Sequence, residues 1–359
     1  MKPVLHIITT ICRGGAENQL AVLASEQIKS GRKVSIIYLK DEPELQETFV
    51  SLGAEVISKF ANISIFKQVS GIKKYLMEKD VIVHAHLPRA ELISALAVHK
   101  QRFIFSRHNA EAFFPGAPKW LSAALSRFVS LQANEGIAIS SAVKDFLIST
   151  KEISPGYLFT VVHYGYQELE EKHRPRLTRS VLGIEERSFV VGTIARLVPQ
   201  KDIPTLLNSF KIFNESSPNS TLVIIGDGPI KDEMKKLAIT LGINERILWV
   251  GRTEDVDGYL SLMDTFILTS KYEGFGLVLL EALNMHLPII AANNSAIPEV
   301  LGTDFTGLVK TGDAKAFAEK LKSLINIDVR LANISMGQKR LQLFKASKMN
   351  EEMGAVYKV

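Results

Sequence analysis

Two glutamates, Glu273 and Glu281, stand eight residues apart in a segment that otherwise reads as buried, KYEGFGLVLLEALNMHLPII at 271–290. A carboxylate only accepts hydrogen bonds, so it suits the paired vicinal hydroxyls of a ribose or a sugar ring. A partner is needed, because an ionised carboxylate in an apolar segment loses its hydration. The alternative is structural: a capped turn, followed by a core glutamate that a lysine neutralises.

The glycines between these glutamates, in Glu273-Gly274-Phe275-Gly276-Leu277, predict a tight turn that opens a helix over about Leu277–Met285. Glu281 then lies about one helical turn inside that helix. The first backbone amides of the helix have no intrahelical partner, so they can face a ligand.

Two cations follow an apolar run upstream, in GTIARLVPQKD at 192–202. Arg196 and Lys201 fall on a loop between a strand and a helix, where both could bind a diphosphate, arginine as a fork and lysine as a point charge. The alternative is a pair of solvated surface cations.

A third candidate, Gly14-Gly15, stands between the first apolar run and a helix. Free amides and the positive end of a helix dipole can hold an anion there, although a plain tight turn explains the pair equally well. The chain has no complete GxGxxG or Walker A sequence, which argues against a dinucleotide dehydrogenase or a P-loop NTPase.

Two further motifs resemble metal sites but favour structural roles. Asp255 and Asp257 have Asp-x-Asp spacing, yet they precede an apolar-periodic stretch and predict a helix cap. His84 and His86 are two residues apart with no nearby cysteine and no HExxH, so we expect hydrogen-bonded structural histidines rather than a zinc site. We therefore predict no metal ligands.

Length and composition indicate a globular protein of about two domains, since 359 residues exceed the usual size of one core. The single cysteine, Cys12, excludes an internal disulfide. We find neither a signal peptide at Val4–Ile11 nor a run of the roughly 20 apolar residues that a spanning helix needs. These features predict a cytoplasmic protein, with any membrane contact peripheral.

The net charge of +5 lies in the first half of the chain: residues 1–160 contain 19 basic and 14 acidic side chains, and residues 161–359 contain 24 of each. No nucleic-acid motif accompanies this excess, so we predict no nucleic-acid partner. A basic half suits an anionic acceptor or an anionic membrane.

Short apolar runs alternate with amphipathic helical stretches, which predicts α/β domains built on doubly wound parallel sheets. The alternation stops between about Gly165 and Ser188, where we place a linker and a covering helix, and then restarts. We expect the active site in a cleft between the domains, because ligands lie beyond the carboxyl ends of such strands. The predicted strands, by number, are 4–11, 33–39, 81–83, 103–105, 136–139, 189–194, 221–225, 247–250, 265–268 and 288–291.

Taken together, these segments resemble the retaining glycosyltransferases of family 4, which have the GT-B fold of two facing Rossmann-like domains. The resemblance covers nearly the whole chain. Its motifs are Gly14-Gly15-Ala16-Glu17, HAH at 84–86, RHN at 107–109, ISSAVKDFL at 139–147, GTIARLVPQKD at 192–202, LVIIGDGP at 222–229, VGR at 250–252, EGFGLVLLEAL at 273–283, IPEV at 297–300 and TGLV at 306–309.

This resemblance implies residue roles. Catalytic roles fall to Glu273 on the donor-sugar hydroxyls, His108 facing the sugar, and Arg196 and Lys201 as a diphosphate clamp. The implied donor-binding residues are Gly15 for the donor phosphate or acceptor, and Arg196 and Lys201 for the diphosphate. Gly251 and Arg252 would read the base, Gly274, Phe275, Gly276 and Leu277 would act through their amides, and Glu281 would bind the ribose. The chain departs from the family at Lys201-Asp202, where Lys-Gly is usual, and at His163-Tyr164-Gly165, where Asn-Gly is frequent.

The resemblance also implies domains at 1–165 for the acceptor and 166–340 for the nucleotide sugar, with 341–359 returning to the first. It implies transfer of a hexose or N-acetylhexosamine from a nucleoside diphosphate sugar, with UDP the favoured nucleotide, and with retention. The acceptor would be a hydroxyl of a saccharide or lipid-linked saccharide in surface polysaccharide or glycolipid synthesis. No cofactor or metal is expected. A sugar-nucleotide binding protein and a GT-B epimerase are the alternatives.

An aromatic and basic segment, FFPGAPKWLSAALSRFV, begins at Phe113 and includes Phe114, Lys119, Trp120 and Arg127. Such a segment could lie on an anionic bilayer surface. A core helix with its entry loop is the equally weighted alternative.

Overall fold

The computed structural model describes residues 1–154, 156–167 and 177–358, which divide into two compact units. The first unit comprises Met1–Gln167 and Phe344–Val359, and the second comprises Glu168–Leu343. Of the predicted linker and covering helix, residues 168–176 lie outside the described residues. The part at 177–188 contains a short 3-10 helix, Ser180–Leu182.

The first unit contains a seven-stranded parallel sheet in the order β3-β2-β1-β4-β5-β6-β7. Helices α1 and α14 pack together, and α4 packs against both α3 and α5. Its strands are β1 (Val4–Ile8), β2 (Val34–Tyr38), β3 (Glu55–Ile57), β4 (Ile82–His86), β5 (Phe103–Arg107), β6 (Glu135–Ala138) and β7 (Phe159–Val161). Its helices are α1 (Gly15–Lys29), α2 (Gln46–Ser51), α3 (Ile65–Leu76), α4 (Pro88–Ala97), α5 (Lys119–Gln132), α6 (Ser141–Ser149) and α14 (Ala346–Lys358).

Strands β1, β4 and β5 are buried at every position, which explains why polar and apolar residues do not alternate along them. Polar side chains in such strands must find hydrogen-bond partners inside the unit. The buried polar members are His6, His84, His86, Ser106 and Arg107. Their partners form much of the candidate site described below.

The second unit contains a six-stranded parallel sheet in the order β10-β9-β8-β11-β12-β13. Strands β8 and β11 are neighbours in space but not in sequence, so the loops that follow them meet at one edge of the sheet. The strands are β8 (Phe189–Ile194), β9 (Ser220–Ile225), β10 (Ile247–Gly251), β11 (Thr265–Leu268), β12 (Ile289–Ala292) and β13 (Leu308–Val309). The helices are α7 (Ile203–Ser216), α8 (Lys231–Thr240), α9 (Val256–Leu260), α10 (Leu277–Asn284), α11 (Ile297–Leu301), α12 (Ala314–Ser323) and α13 (Ile327–Leu341).

The two doubly wound parallel sheets confirm the predicted α/β class. The first strand is shorter than predicted, since it ends at Ile8 rather than Ile11, and three short strands, β3, β7 and β13, were not identified from the sequence. Across the described residues, no helix combines the length and the apolar character that crossing a bilayer requires.

Candidate active site

The loop from β11 to α10 carries Glu273 and the two glycines. Gly276 precedes α10 with φ of +88°, a conformation that favours glycine, and a Cβ there would lie 3.1 Å from a methyl group of Leu279. Phe275 is buried beneath the turn. No side chain of the described residues caps α10, and the Leu279 amide donates to the Gly276 carbonyl oxygen at 2.8 Å, so the amides of Leu277 and Val278 are the ones that could donate to a ligand.

Lys201 and Glu273 form a close ion pair across the two loops. The lysine Nζ lies 2.7 Å from Oε1 and 2.9 Å from Oε2 of Glu273, and both side chains are largely buried. Backbone contacts hold the loops together, since the Lys271 amide donates to the Gln200 carbonyl oxygen at 2.8 Å. The structure therefore brings together two residues that are 72 positions apart in sequence and that were both predicted as site residues.

Asp202, where the family usually has glycine, adopts a left-handed conformation with φ of +49°. Glycine takes this conformation freely, and aspartate tolerates it better than most residues. The Asp202 carboxylate accepts a hydrogen bond from the Thr205 hydroxyl at 2.7 Å. Asp202 therefore holds, directly after Lys201, a backbone conformation that glycine would also adopt freely.

Asn294 and Ser295 position the Glu273 loop from the end of β12, and neither was predicted as a site residue. The Ser295 hydroxyl accepts the Glu273 amide at 2.8 Å, and Asn294 Nδ2 donates to the Ser270 carbonyl oxygen at 2.9 Å. A polar Asn-Asn-Ser turn directly after an apolar strand was the available signal.

Arg196 follows β8 and is exposed to solvent. Its guanidinium has no hydrogen bond or ion pair to any described residue. The structure thus joins Lys201 to Glu273 and leaves Arg196 as a solvated cation at the same end of the sheet.

Glu281 lies in the second turn of α10 and is half-buried, less than the sequence indicated. Burial, and then the charge of Asp257, raises the pKa of its carboxyl from 4.5 to about 7. Within the described chain its carboxyl has no hydrogen bond or ion pair, so the alternative of a neutralising lysine is wrong. Asp255 caps α9 by accepting the Gly258 amide at 2.9 Å, which confirms the predicted helix cap.

Gly251 and Arg252 follow β10. The Gly251 carbonyl oxygen accepts the Gly226 amide at 2.7 Å, and Arg252 is exposed. Asp227 lies nearby and pairs with Lys231 at 2.9 Å; that hydrogen bond, with smaller contributions including Arg252, lowers the pKa of Asp227.

In the first unit, Gly14 caps α1 in extended conformation and Gly15 is the first helical residue. Glu17 is buried at this helix end, and burial raises the pKa of its carboxyl, although a hydrogen bond to its own amide opposes the rise. An anion at Gly15 would therefore approach the acidic side chain of Glu17, to which the motif alone gave no role.

His108 directly follows β5, and both of its ring nitrogens are engaged. Its Nε2 lies 3.0 Å from His86 Nδ1, and its Nδ1 lies 2.5 Å from the Tyr164 hydroxyl. Burial, and then the Arg107 charge, lowers its pKa to about 3, so the imidazole is neutral at physiological pH. A ligand that binds to a ring nitrogen must replace one of these partners.

Arg107, beside His108, anchors a buried charge cluster. Its guanidinium donates to Glu91 Oε2 at 2.7 Å, to Glu152 Oε2 at 3.1 Å and to the Ser126 hydroxyl at 2.9 Å. It also lies over the Phe113 ring, 4.4 Å from the ring centroid. Burial raises the pKa of Glu91 to about 7, against the opposing effect of Arg107.

His84 and His86 are hydrogen-bonded structural residues, as predicted, but they are not bonded to each other. His84 contacts the Tyr357 and Ser106 hydroxyls at 2.8 and 2.7 Å, and His86 contacts His6 at 2.9 Å. The nitrogens of His6, His84 and His86 come within 4.8 Å of one another, a spacing that metal ligation could use. Protein groups already occupy all their ring nitrogens, so a metal would have to break this network.

Comparison with known families decides what these two units are. Residues 176–340 match the family described as glycosyl transferases group 1, and residues 13–166 match glycosyltransferase family 4. The chain belongs to glycosyltransferase family 4. The family membership implied by the sequence motifs is therefore confirmed, as is the prediction that the protein is a glycosyltransferase enzyme.

Curated relatives align with most of the glycosyltransferase. The capsular polysaccharide biosynthesis glycosyltransferase CapM of Staphylococcus aureus is 27% identical over 331 residues, which cover 85% of this chain and 84% of the relative. The UDP-Gal:alpha-D-GlcNAc-diphosphoundecaprenol alpha-1,3-galactosyltransferase of Escherichia coli is 26% identical over 278 residues, 72% of this chain and 71% of its own.

Among solved structures, Anabaena HepE in complex with UDP and glucose superimposes with a TM-score of 0.84 at 20% identity, covering 99% of both chains. A sucrose-phosphate synthase from Thermosynechococcus elongatus gives 0.80 at 18% identity, covering 99% of this chain and 98% of that one. This likeness confirms the predicted GT-B fold class of two Rossmann-like domains.

Proposed function

We propose that this glycosyltransferase moves a hexose or N-acetylhexosamine from a UDP-sugar to a hydroxyl of a saccharide or lipid-linked saccharide, with retention of anomeric configuration. The pairing of Lys201 with Glu273 beside the uncapped start of α10 carries the proposal. This arrangement supports the proposal because it would supply a cation for a diphosphate, an acceptor for sugar hydroxyls and backbone amides of a helix start at one end of one sheet. Relatives named for capsular polysaccharide, diphosphoundecaprenol and diacylglycerol products support a role in surface polysaccharide or glycolipid synthesis.

The chemistry follows from charge. The two loops contain three cations, Arg196, Lys201 and Lys271, and two carboxylates, Asp202 and Glu273, so this loop pair attracts a diphosphate and stabilises the charge that develops on the leaving group. Glu273 then accepts hydrogen bonds from donor-sugar hydroxyls. Glu281, when ionised, accepts from the ribose, and the amides of the turn from Gly274 to Leu277 support the sugar or phosphate.

Retention follows a same-face route in this proposal. The leaving diphosphate helps to deprotonate the acceptor hydroxyl as the new bond forms, so no covalent enzyme intermediate is required. Exclusion of water limits hydrolysis of the donor.

We propose that the reaction needs no divalent metal, as is general in this family. Asp255 supports this, because its carboxylate is used as a helix cap. Turnover should survive EDTA. Complete loss of activity, restored by manganese, would instead implicate Asp255 and Asp257 in metal binding.

A peripheral contact with an anionic membrane is part of the proposal. Phe113 is buried under Arg107 and belongs to the core, but Trp120 and Leu131 are 73% and 81% exposed. Trp120 and Leu131 share one exposed face of α5 with Arg127. The protein should co-sediment with vesicles that contain anionic lipid, and Trp120→Ala should reduce the fraction that co-sediments. Equal co-sedimentation with neutral vesicles would contradict binding to an anionic membrane.

The decisive experiment screens UDP-, GDP- and ADP-sugars by thermal stabilisation and then by turnover with glycolipid acceptors. A ligand at 100 times its dissociation constant stabilises by about 2.7 kcal/mol. We expect a UDP-sugar to stabilise and to give an α-linked product from an α-linked donor, read by NMR of the anomeric proton. Binding without transfer to any acceptor would favour a binding protein, and sugar conversion without acceptor would favour an epimerase.

A further inference from the structure

A continuous hydrogen-bonded chain runs through the core of the first unit from Tyr164 to Gln27. Tyr164 contacts His108, His108 contacts His86, His86 contacts His6, and His6 contacts Gln27, with every contact at 3.0 Å or less. We call the three histidines His108, His86 and His6 the histidine relay.

The amide of Gln27 fixes the direction of the relay. Its Nε2 donates to the Tyr357 hydroxyl at 3.2 Å, so its carbonyl oxygen is the atom that faces His6 Nε2 at 2.9 Å. A carbonyl oxygen only accepts, so His6 carries its proton on Nε2.

The remaining protons follow in sequence, because a neutral imidazole has one donor and one acceptor nitrogen. His6 Nδ1 is bare and must accept from His86 Nε2–H. His86 Nδ1 is then bare and accepts from His108 Nε2–H. Burial lowers the pKa of all three rings, which keeps them neutral.

The last step defines the chemistry of His108. With its proton on Nε2, its Nδ1 is an acceptor, and the Tyr164 hydroxyl donates to it. Reversing the Gln27 amide would reverse every proton in the relay and turn Nδ1 into a donor. A hydroxyl can replace the Tyr164 hydroxyl at an acceptor nitrogen, whereas a phosphate or carboxylate oxygen cannot.

We propose that Gln27, held by Tyr357 of α14, fixes the tautomer of His108 through the histidine relay, so that Nδ1 accepts a hydrogen bond from a ligand hydroxyl. Gln27 and Tyr357 are positioning residues, since neither contacts His108. The identification of that hydroxyl as one of the donor sugar rests on the proposed function; the tautomer does not.

The test is a long-range proton–nitrogen NMR correlation on protein with nitrogen-15 histidine, which distinguishes the two neutral tautomers. The wild-type protein should show Nε2–H at His6, His86 and His108. Gln27→Met keeps the side-chain length but removes the acceptor, so the Nε2–H preference should be lost at all three rings together.

Gln68→Met is the matched control, because Gln68 is another buried glutamine of the same unit, bonded to backbone carbonyls and Arg89 outside the relay. It should leave the three tautomers unchanged. If Gln27→Met does not fold, Tyr357→Phe keeps the ring, releases the Gln27 amide and should produce the same joint loss.

An Nδ1–H tautomer at any relay histidine of the wild type would overturn the proposal. A tautomer change confined to His6 in Gln27→Met, or in Tyr357→Phe if that variant is needed, would also overturn it. Such a result would show that Gln27 does not determine the tautomer of His108. Turnover measured on the same samples separates the two proposals: an inactive wild type with the expected tautomers contradicts only the proposed function, and an active one without them contradicts only the relay.

Discussion

The ammonium group of Lys201 lies against both carboxylate oxygens of Glu273, at 2.7 and 2.9 Å. Each residue therefore neutralises the other while no donor is bound. A diphosphate would compete with Glu273 for Lys201, and the released carboxylate would become available to sugar hydroxyls.

Glu273→Gln should separate binding from turnover. Loss of the negative charge frees Lys201 for the diphosphate, so UDP should bind as tightly as to the wild type or more tightly. Turnover should fall about a hundredfold, the scale for losing one electrostatic contact to the reacting group. Calorimetry with UDP and initial rates with the UDP-sugar measure the two effects.

The matched control is Glu215→Gln, which breaks an exposed pair with Lys211 on α7, where N and O are 3.5 Å apart. Such pairs contribute little, so neither quantity should change. Weaker UDP binding with unchanged turnover in Glu273→Gln would contradict the assigned roles.

Glu281 should couple nucleotide binding to pH. Its folded-state pKa of about 7 lies above the ordinary 4.5, so between these pH values the unfolded chain loses the Glu281 proton while the folded protein keeps it. Stability therefore falls as pH rises from about 4.5 to 7 and stays at the lower value above that range. Glu281→Gln should therefore raise the free energy of unfolding by about 1 to 3 kcal/mol at pH 8 and by little at pH 5. Denaturant titrations at both pH values measure this.

The same variant should weaken UDP binding at pH 8, because the ionised carboxylate is the proposed ribose acceptor. Wild-type affinity should fall from pH 8 to pH 6, and the dependence should flatten in Glu281→Gln. Glu319→Gln removes an exposed carboxylate of the same unit and serves as the control. Identical pH profiles for wild type and Glu281→Gln would rule out this role.

Acid should destabilise the first unit before the second. His6 and His108 have pKa values of about 4 and 3 in the folded protein, and His84 and His86 are also well below 6.5. The unfolded chain binds these protons first as pH falls below 6.5, so stability decreases with falling pH. The slope is roughly 1.4 kcal/mol per pH unit for each histidine.

Pulse proteolysis across a denaturant series, with peptides of each unit identified by mass spectrometry, measures this difference between pH 7.5 and 5. The internal control is the second unit, in whose described residues the one histidine, His286, is exposed. If the denaturant midpoint of the first unit is the same at pH 7.5 and pH 5, its buried histidines are not held neutral in the folded protein.

Removal of Arg107 should be among the most damaging single changes. Arg107→Met leaves the buried carboxyls of Glu91 and Glu152 without their cation, which costs about 3 to 5 kcal/mol. Glu91→Gln should cost less, because the pKa of about 7 means that Glu91 is already partly protonated at neutral pH. Arg127→Met, on the exposed face of α5, is the control for losing an arginine. Equal unfolding free energies for Arg107→Met and Arg127→Met would contradict a structural role for the cluster.

The sequence predicts the central strands well and the edge strands poorly. Apolar runs locate β4, β5 and β11 because these strands are buried throughout, but the predicted strands at 81–83 and 103–105 omit the buried polar ends of β4 and β5. The missed strands β3, β7 and β13 have only two or three residues and include exposed or half-buried positions, so they have no apolar run.

Some features of the candidate site could likewise be predicted from the sequence, and others could not. Local patterns predict the Gly276 turn, the Asp255 cap and the position of Glu281 in its helix. The pairing of Lys201 with Glu273, the approach of Asp257 to Glu281 and the engagement of His108 by Tyr164 depend on strand order. Spacing along one chain does not encode those contacts, and the residue roles in catalysis stay predictions.

Helix α14 completes the core of the first unit, where Met349, Met353 and Val356 join the cluster formed by β1 and α1. These residues leave the ribosome after the entire second unit has been synthesised. The apolar surface beside α1 therefore stays exposed while the second unit is synthesised. The first unit can complete its core only after the second unit has left the ribosome, so folding does not follow the order of synthesis, and a chaperone could bind the exposed surface during translation.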